Sequence, residues 1–252
     1  MITKKKLIND LNRLGLTKGD IVLVHSSFKS FGGVEGGPQT FIDSVLDVIQ
    51  TEGTLIVPTF NFDFCEGKPF DVRHTPSHMG IITELVRKNP ESRRLLHPIH
   101  SFSIIGKLSE ELGSLQYKST YGKNSLFARL REFDGKIMIV GLEYNQSMTF
   151  FHHVEEMEGC DYRYFKEFTG EITDHNGRTY VDSFTFFVRD LDKGVETQVN
   201  PMGELLEEKG VVNIQKIGKA TVKLMRVNDA YRITAQEMKK NPLLMYGISN
   251  NH

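Results

Sequence analysis

IVLVHSSFKSFGGVEGGPQTFIDSVLDVIQTEGTLIVP, residues 21 to 58, decides the fold class. Ile21 to Val24 is an uninterrupted apolar run of strand length, which suits a strand covered on both faces. His25 to Gly37 is polar and glycine-rich and reads as a loop. Pro38 fits the first turn of a helix, Phe41, Ile42, Val45, Leu46 and Ile49 recur at helical spacing, and Gly53 closes the segment. Leu55 to Val57 is a second buried strand. Strand, loop, helix and strand in this order predict a right-handed crossover between parallel strands.

Outward from this unit, Leu7, Leu11 and Leu14 predict an opening helix over Lys4 to Leu14, stopped at Gly15. Residues 59 to 78 are irregular and rich in Phe, as expected of a substrate-facing loop. A helix over Gly80 to Lys88, strands at Ser101 to Ile105 and Lys136 to Val140, and helices at Leu126 to Arg131 and Thr149 to Met157 complete the first part. Beyond Cys160, Tyr180 to Val188 reads as a strand in a sheet with one more polar face. Asp174 to Gly177 holds the Asn-Gly pair of a hairpin turn. Helices at Pro201 to Lys209 and Val227 to Lys240 follow, with short strands near Val211 and Ala220. The expected fold is α/β: a mixed, largely parallel central sheet flanked by helices, with a smaller C-terminal α+β portion. The division falls softly at 1–160 and 161–252.

The chain has 252 residues, 39% hydrophobic and 25% charged, which is a globular rather than a disordered composition. With 31 Lys and Arg against 32 Asp and Glu, charge demands no polyanionic partner, and nucleic acid is not expected. MITKKKLINDL is basic but precedes no apolar segment, so neither signal nor membrane span is drawn there; a cytoplasmic location without membrane association is expected. Cys65 and Cys160 are far apart, outside any CxxC pattern, and read as unpaired thiols.

Three constellations carry chemistry. The loop from His25 to Gly37 lies between the carboxyl end of a strand and a helix, where backbone N–H groups can approach a phosphate; its spacing matches neither a Walker loop nor GxGxxG, so a tight connection is an equal reading. In Thr149-Phe-Phe-His152-His153-Val-Glu155-Glu156, His152 and Glu155 can share a helix face; such a pair is more often a solvated surface, but a carboxylate-oriented histidine also suits removal of a proton from an amine. His153 and Glu156 have the same spacing, so local geometry does not choose between the pairs. His97-Pro-Ile-His100 has a metal-like spacing, but Pro98 opposes a helical ligand pair and no acidic or cysteine ligand adjoins it, so no metal is expected.

Six segments in order, VLVHSSFKSFGGVEGG, TLIVPTF, TPSHMGIITELVRKNP, RRLLHPIHSFSIIG, GKIMIVGL and TFFHHVEE, resemble the aminoglycoside 3-N-acetyltransferase family over about residues 5 to 160, with weaker similarity beyond. The resemblance implies acetyl-CoA or another acyl-CoA as cosubstrate. It places the base of the T-x-x-H-x-x-E motif at His152, its acidic partner at Glu155 and the motif threonine at Thr149. It implies coenzyme A contacts at His25, Ser26, Ser27, Ser30, Gly32, Thr59, Ser101 and Phe102. Direct transfer to an amino sugar, with no acyl-enzyme, is the implied reaction.

The family's resistance enzymes carry a longer, acidic insertion where this chain has NFDFCEGKPFDVRH, residues 61 to 74. The compact form is similar to members that acylate nucleotide-linked amino-dideoxy sugars, so that acceptor class is expected, with an aminoglycoside as the alternative. A serine hydrolase using Ser26 or Ser27 lacks the GxSxG elbow. A non-catalytic coenzyme A-binding module does not explain the intact motif. Neither the acyl chain nor the oligomeric state is fixed, and a homo-oligomer is allowed.

Overall fold

A computed structural model describes residues 1–248. In chain order the elements are α1 (Lys4–Leu14), β1 (Ile21–Ser26), α2 (Gly37–Ile49), β2 (Thr54–Pro58), β3 (Phe70–Asp71), α3 (Ile81–Lys88), β4 (Arg93–Arg94), β5 (Phe102–Gly106), α4 (Ser109–Gly113) and α5 (Leu126–Glu132). Then come β6 (Lys136–Val140), α6 (Tyr144–Ser147), α7 (Phe150–Glu158), β7 (Arg163–Thr173), β8 (Thr179–Arg189), β9 (Val195–Thr197), α8 (Asn200–Glu208), β10 (Val212–Ile217), β11 (Ala220–Arg226), α9 (Val227–Lys240) and β12 (Tyr246–Ile248).

The large sheet has the order β10-β11-β6-β1-β2-β5-β4. Its sequence explains why it is buried on both sides. Leu23, Ile56, Ile104, Ile137 and Ile139 point into one core with residues of α5, α7, α8 and α9. Their neighbours Val22, Val24, Leu55, Val57, Ile105, Met138 and Val140 point into another with α1, α2 and α3. Alternate residues of each apolar run thus supply opposite cores, and each such side chain contributes roughly 1.5–3 kcal/mol of burial. The opening helix is bounded as its sequence predicts: the Thr3 hydroxyl accepts from Lys6 N–H, and Gly15, at φ 105°, closes the last turn.

Parallel pairing is confined to the centre, where β1 lies between β2 and β6. Both flanks are antiparallel: β5 and β4 on one side, β11 and β10 on the other. The mixed sheet is therefore parallel only around the segment that predicted it. The strands after residue 160 divide among three places: β7 and β8 form a second sheet with β3, β9 and β12 pair with each other, and β10 and β11 complete the first. Among the described residues no helix is long and apolar enough to cross a membrane.

The arrangement matters for the site because β1 and β6 are adjacent and parallel, so their carboxyl ends share one edge. His25 and Ser26 end β1, and the chain leaving β6 runs through α6 directly into α7, which carries His152. Ligands of open α/β sheets bind at this kind of edge. The β7–β8 hairpin lies across it and supplies the opposite wall.

Candidate active site

A cavity of about 560 Å³ opens at this edge, with His25, Thr149 and His152 in its wall. His152 lies on the first turn of α7, its side chain 14% exposed, so it is accessible without being solvated on all sides. Its Nδ1 is 2.6 Å from Glu155 Oε2, the i,i+3 pairing that the helix dictates. Glu155 is fully buried; Tyr162 donates its hydroxyl to Oε1 at 2.9 Å, and the Arg163 Nε stands 2.7 Å from Oε2. With Nδ1 engaged inward, Nε2 is the ring nitrogen left for a ligand.

Electrostatics favour a neutral imidazole and an ionised carboxylate. Burial, reinforced by the Arg163 charge, pushes the His152 pKa below its ordinary value despite Glu155. Burial alone would raise Glu155, but His152, Arg163 and Tyr162 outweigh it and hold the carboxyl below its usual range.

The neighbouring pair is taken apart by packing. His153 turns into the core, its Nδ1 against the Tyr121 carbonyl and its ring among Phe127, Phe150 and Tyr231. Glu156 instead accepts from the Ser119 hydroxyl at 2.6 Å. Only His152 and Glu155 meet.

The other residues expected at the site separate into two groups. His25 reaches the cavity with its Nε2 buried and unpartnered, and Ser26 Oγ is likewise without a partner. Burial lowers His25 to about 4, so its imidazole is neutral. Ser30 donates to the Ser27 carbonyl at 2.6 Å and lines a separate cleft with Gly141, Glu143, Lys219, Thr221 and Lys223. Gly32 packs there at φ 78°, where an added Cβ would stand 2.7 Å from the Lys219 side chain.

Thr59, Ser101 and Phe102 do not reach the cavity wall. All are buried; Thr59 and Ser101 hydroxyls lie 3.0 Å apart, and buried Arg94 bonds Ser101 Oγ and the Thr59 carbonyl. These residues brace β2 against β5 behind the site. In the HPxH segment, His97 Nδ1 accepts from the His100 N–H at 3.1 Å and closes a turn, while His100 sits between Phe60, Phe62 and Phe186. Among the described residues no cluster of three or more His, Cys, Asp and Glu is placed to hold a metal.

Sequence reasoning missed Tyr162, Arg163, Lys166 and Arg189. The first two hold Glu155; Arg163, Lys166 and Arg189 line the cavity beside the aromatic rings of Phe62, Tyr164, Phe168 and Phe186. No local motif marks them, because they reach the site only through the fold-back of the hairpin.

The profile of the aminoglycoside 3-N-acetyltransferase family matches residues 23–239, most of the chain and every element of the site. The chain belongs to this family. A SPbeta prophage-derived aminoglycoside N(3')-acetyltransferase-like protein, YokD, of Bacillus subtilis is 32% identical over 176 residues, covering 61% of this chain and 64% of that protein. Aminoglycoside N(3)-acetyltransferase VIII of Streptomyces fradiae is 28% identical over 180 residues, covering 61% and 60%. The matched stretches thus span less than two thirds of these relatives' length. In three dimensions the likeness is wider: the crystal structure of aminoglycoside acetyltransferase AAC(3)-Xa superposes with a TM-score of 0.85 over 95% of this chain and 93% of that one, at 24% identity. A binary complex of AAC-IIIb with CoASH superposes at 0.83 over 94% and 96%, at 21% identity, again a likeness of fold.

Proposed function

We propose that this chain is an acyl-CoA-dependent N-acyltransferase that acetylates the amino group of an amino sugar, with His152 as general base. The observation that carries the reading is the His152–Glu155 pair, anchored on its inner nitrogen and open on its outer one, at a cavity wall. An amine is mostly ammonium at neutral pH, and a neutral, carboxylate-oriented imidazole can remove the proton that blocks its attack. Bound acyl-CoA would supply the thioester carbonyl.

His152 relays the first ammonium proton to solvent, then takes a second at Nε2 as the neutral amine nitrogen forms its bond to that carbonyl carbon and the C–S bond breaks, and passes it to the departing thiolate. Glu155 keeps Nδ1 protonated throughout and balances the transient imidazolium. No serine is involved: among the described residues the hydrogen-bond partners of the His152 ring are Glu155 and Arg163. The cleft of Ser30, Glu143, Lys219, Thr221 and Lys223 borders the glycine-rich loop; Lys223 is engaged by Glu207, which leaves Lys219 as the cation there for a phosphate-bearing cosubstrate.

The relatives' names support an aminoglycoside as acceptor. One observation favours a second reading, a nucleotide-linked amino sugar: the cavity wall contains Arg163, Lys166 and Arg189 but no Asp or Glu among its lining residues. Asp63 and Glu66 of the short 61–74 loop pair with Lys68 instead. Arg163 is balanced by Glu155, so a polycation would meet the charge of Lys166 and Arg189 there, which a phosphate would match.

Thiol release from acetyl-CoA, measured against parallel panels of aminoglycosides and nucleotide-linked amino sugars, tests the proposal. Release dependent on either panel supports N-acyl transfer and selects the acceptor class. Silence with both, repeated with longer acyl-CoAs, removes the enzyme reading.

A further inference from the structure

His152 Nδ1 has two partners that cannot use it at once. Glu155 Oε2 is 2.6 Å away and Arg163 Nη2 is 2.9 Å away. A carboxylate only accepts and a guanidinium only donates, so a protonated Nδ1 bonds Glu155 and a bare Nδ1 bonds Arg163. Only the first tautomer leaves a lone pair on Nε2.

Arg163 is built into this position rather than resting there. It is the first residue of β7, its side chain 5% exposed, and its Nη1 donates to the Phe187 carbonyl of β8 at 3.1 Å. Its Nε is 2.7 Å from the same Glu155 oxygen that faces His152. A buried carboxylate without a cation would draw a proton from its surroundings, and a buried imidazole beside an uncompensated carboxylate would tend to charge.

We propose that Arg163 is a positioning residue for the base: its guanidinium compensates Glu155 and holds positive charge against the inner edge of His152, keeping the ring neutral, while Glu155, the acceptor of the two partners, keeps the proton on Nδ1. The proposal rests on His152 being the base, and adds that the base is a three-residue unit whose third member comes from the hairpin.

The charged and titratable groups facing His152 are Glu155 from its own helix, Arg163 from β7, Arg189 from β8, and Tyr121 and His100 from the segments packed across from it. Of these, Arg163 alone touches both members of the pair.

The test is a 15N-edited NMR titration of His152 in the unaltered protein, R163K and R163Q, which needs no turnover. The midpoint in the unaltered protein is expected below 6.5, the ordinary value. In R163Q it is expected to rise by ~1 unit, as loss of a neighbouring charge does, and in R163K to stay near the unaltered value. In pH–rate profiles the acid limb of kcat/KM should move upward with it while KM for acetyl-CoA stays constant. A midpoint unmoved in folded R163Q overturns the proposal. Should R163Q not fold, folded R163K decides: a His152 midpoint displaced by ~1 unit although the positive charge is retained overturns the proposal. If the titration behaves as expected but no acyl transfer occurs with any acceptor, the functional reading fails and the three-residue unit stands.

Discussion

His152 and Glu155 meet through one ring nitrogen and one carboxylate oxygen, 2.6 Å apart, while the next residues along the helix, His153 and Glu156, turn to separate partners. The same i,i+3 spacing gives a hydrogen-bonded pair facing the cavity in one case and two separately engaged residues in the other. What differs is the face each presents: α7 turns His152 to the cavity and His153 to α5 and α9. Replacing Glu155 with Gln removes the carboxylate but leaves an acceptor for Nδ1, and strands Arg163 without its counter-charge. In E155Q the turnover rate is expected to drop about 100-fold with little change in KM for acetyl-CoA, as steady-state kinetics would show.

The cavity cations give a prediction of opposite sign for two substrates. Charge reversal at Lys166 or Arg189 should raise KM for a phosphate-bearing amine about 10-fold and lower it for a polycationic one. Equal effects on both would show that neither side chain reads the acceptor's charge.

Acid sensitivity follows from the buried imidazoles. Burial lowers His25 to about 4, His97 to about 3 and His153 to about 4 from an ordinary 6.5. The unfolded chain binds protons at these groups below 6.5, while the folded protein does not until pH nears 4. The unfolded state therefore holds more protons in this window, and stability falls as pH is lowered through it, by ~1.4 kcal/mol per histidine per unit once well below 6.5. Denaturant midpoints should drop clearly between pH 7 and pH 5; a flat response would contradict the buried, neutral assignment.

Arg94 and Ser101 are expected to matter for stability rather than for cosubstrate binding. Arg94 is 4% exposed and bonds the carbonyls of Thr59, Val72 and Thr75 together with Ser101 Oγ. R94M leaves the Val72 and Thr75 carbonyls without this donor, while the Thr59 carbonyl keeps Ser101 Oγ, and should cost about 3 kcal/mol, and S101A about 1 kcal/mol, in chemical denaturation. KM for acetyl-CoA in S101A should match the unaltered enzyme; a 10-fold rise at unchanged stability would return Ser101 to the binding site.

The legible part of this molecule is what depends on local sequence. The run Ile21 to Pro58 holds the central parallel strands and their helix because apolar continuity, glycine and helical spacing all act within a few residues. The opening helix and the helices at 126, 150 and 227 follow from periodicity in the same way. Pairing direction at the sheet flanks is not local: β5 and β11 read as strands, but their antiparallel direction is set by how the chain returns. The site shows the same division. The i,i+3 spacing of His152 and Glu155 is readable, but so is that of His153 and Glu156, and only the family motif separates them; Arg163 and Tyr162 join the pair because β7 folds back across the edge of β1 and β6. Thr59, Ser101 and Phe102 show the converse: they lie in motif segments, but the two hydroxyls bond within the protein and the Phe102 ring packs in the core.

Everything proposed for the site depends on His152 carrying the proton. The decisive experiment is turnover of H152A with acetyl-CoA and whichever amine supports thiol release, with calorimetric titration of coenzyme A as the control for an intact site. If His152 is the base, turnover slows by about 100-fold or more, the usual worth of a positioned general base, and coenzyme A affinity is preserved. Turnover within about twofold of the unaltered enzyme would contradict this, since removing a group that plays no part in the transition state leaves the rate in place.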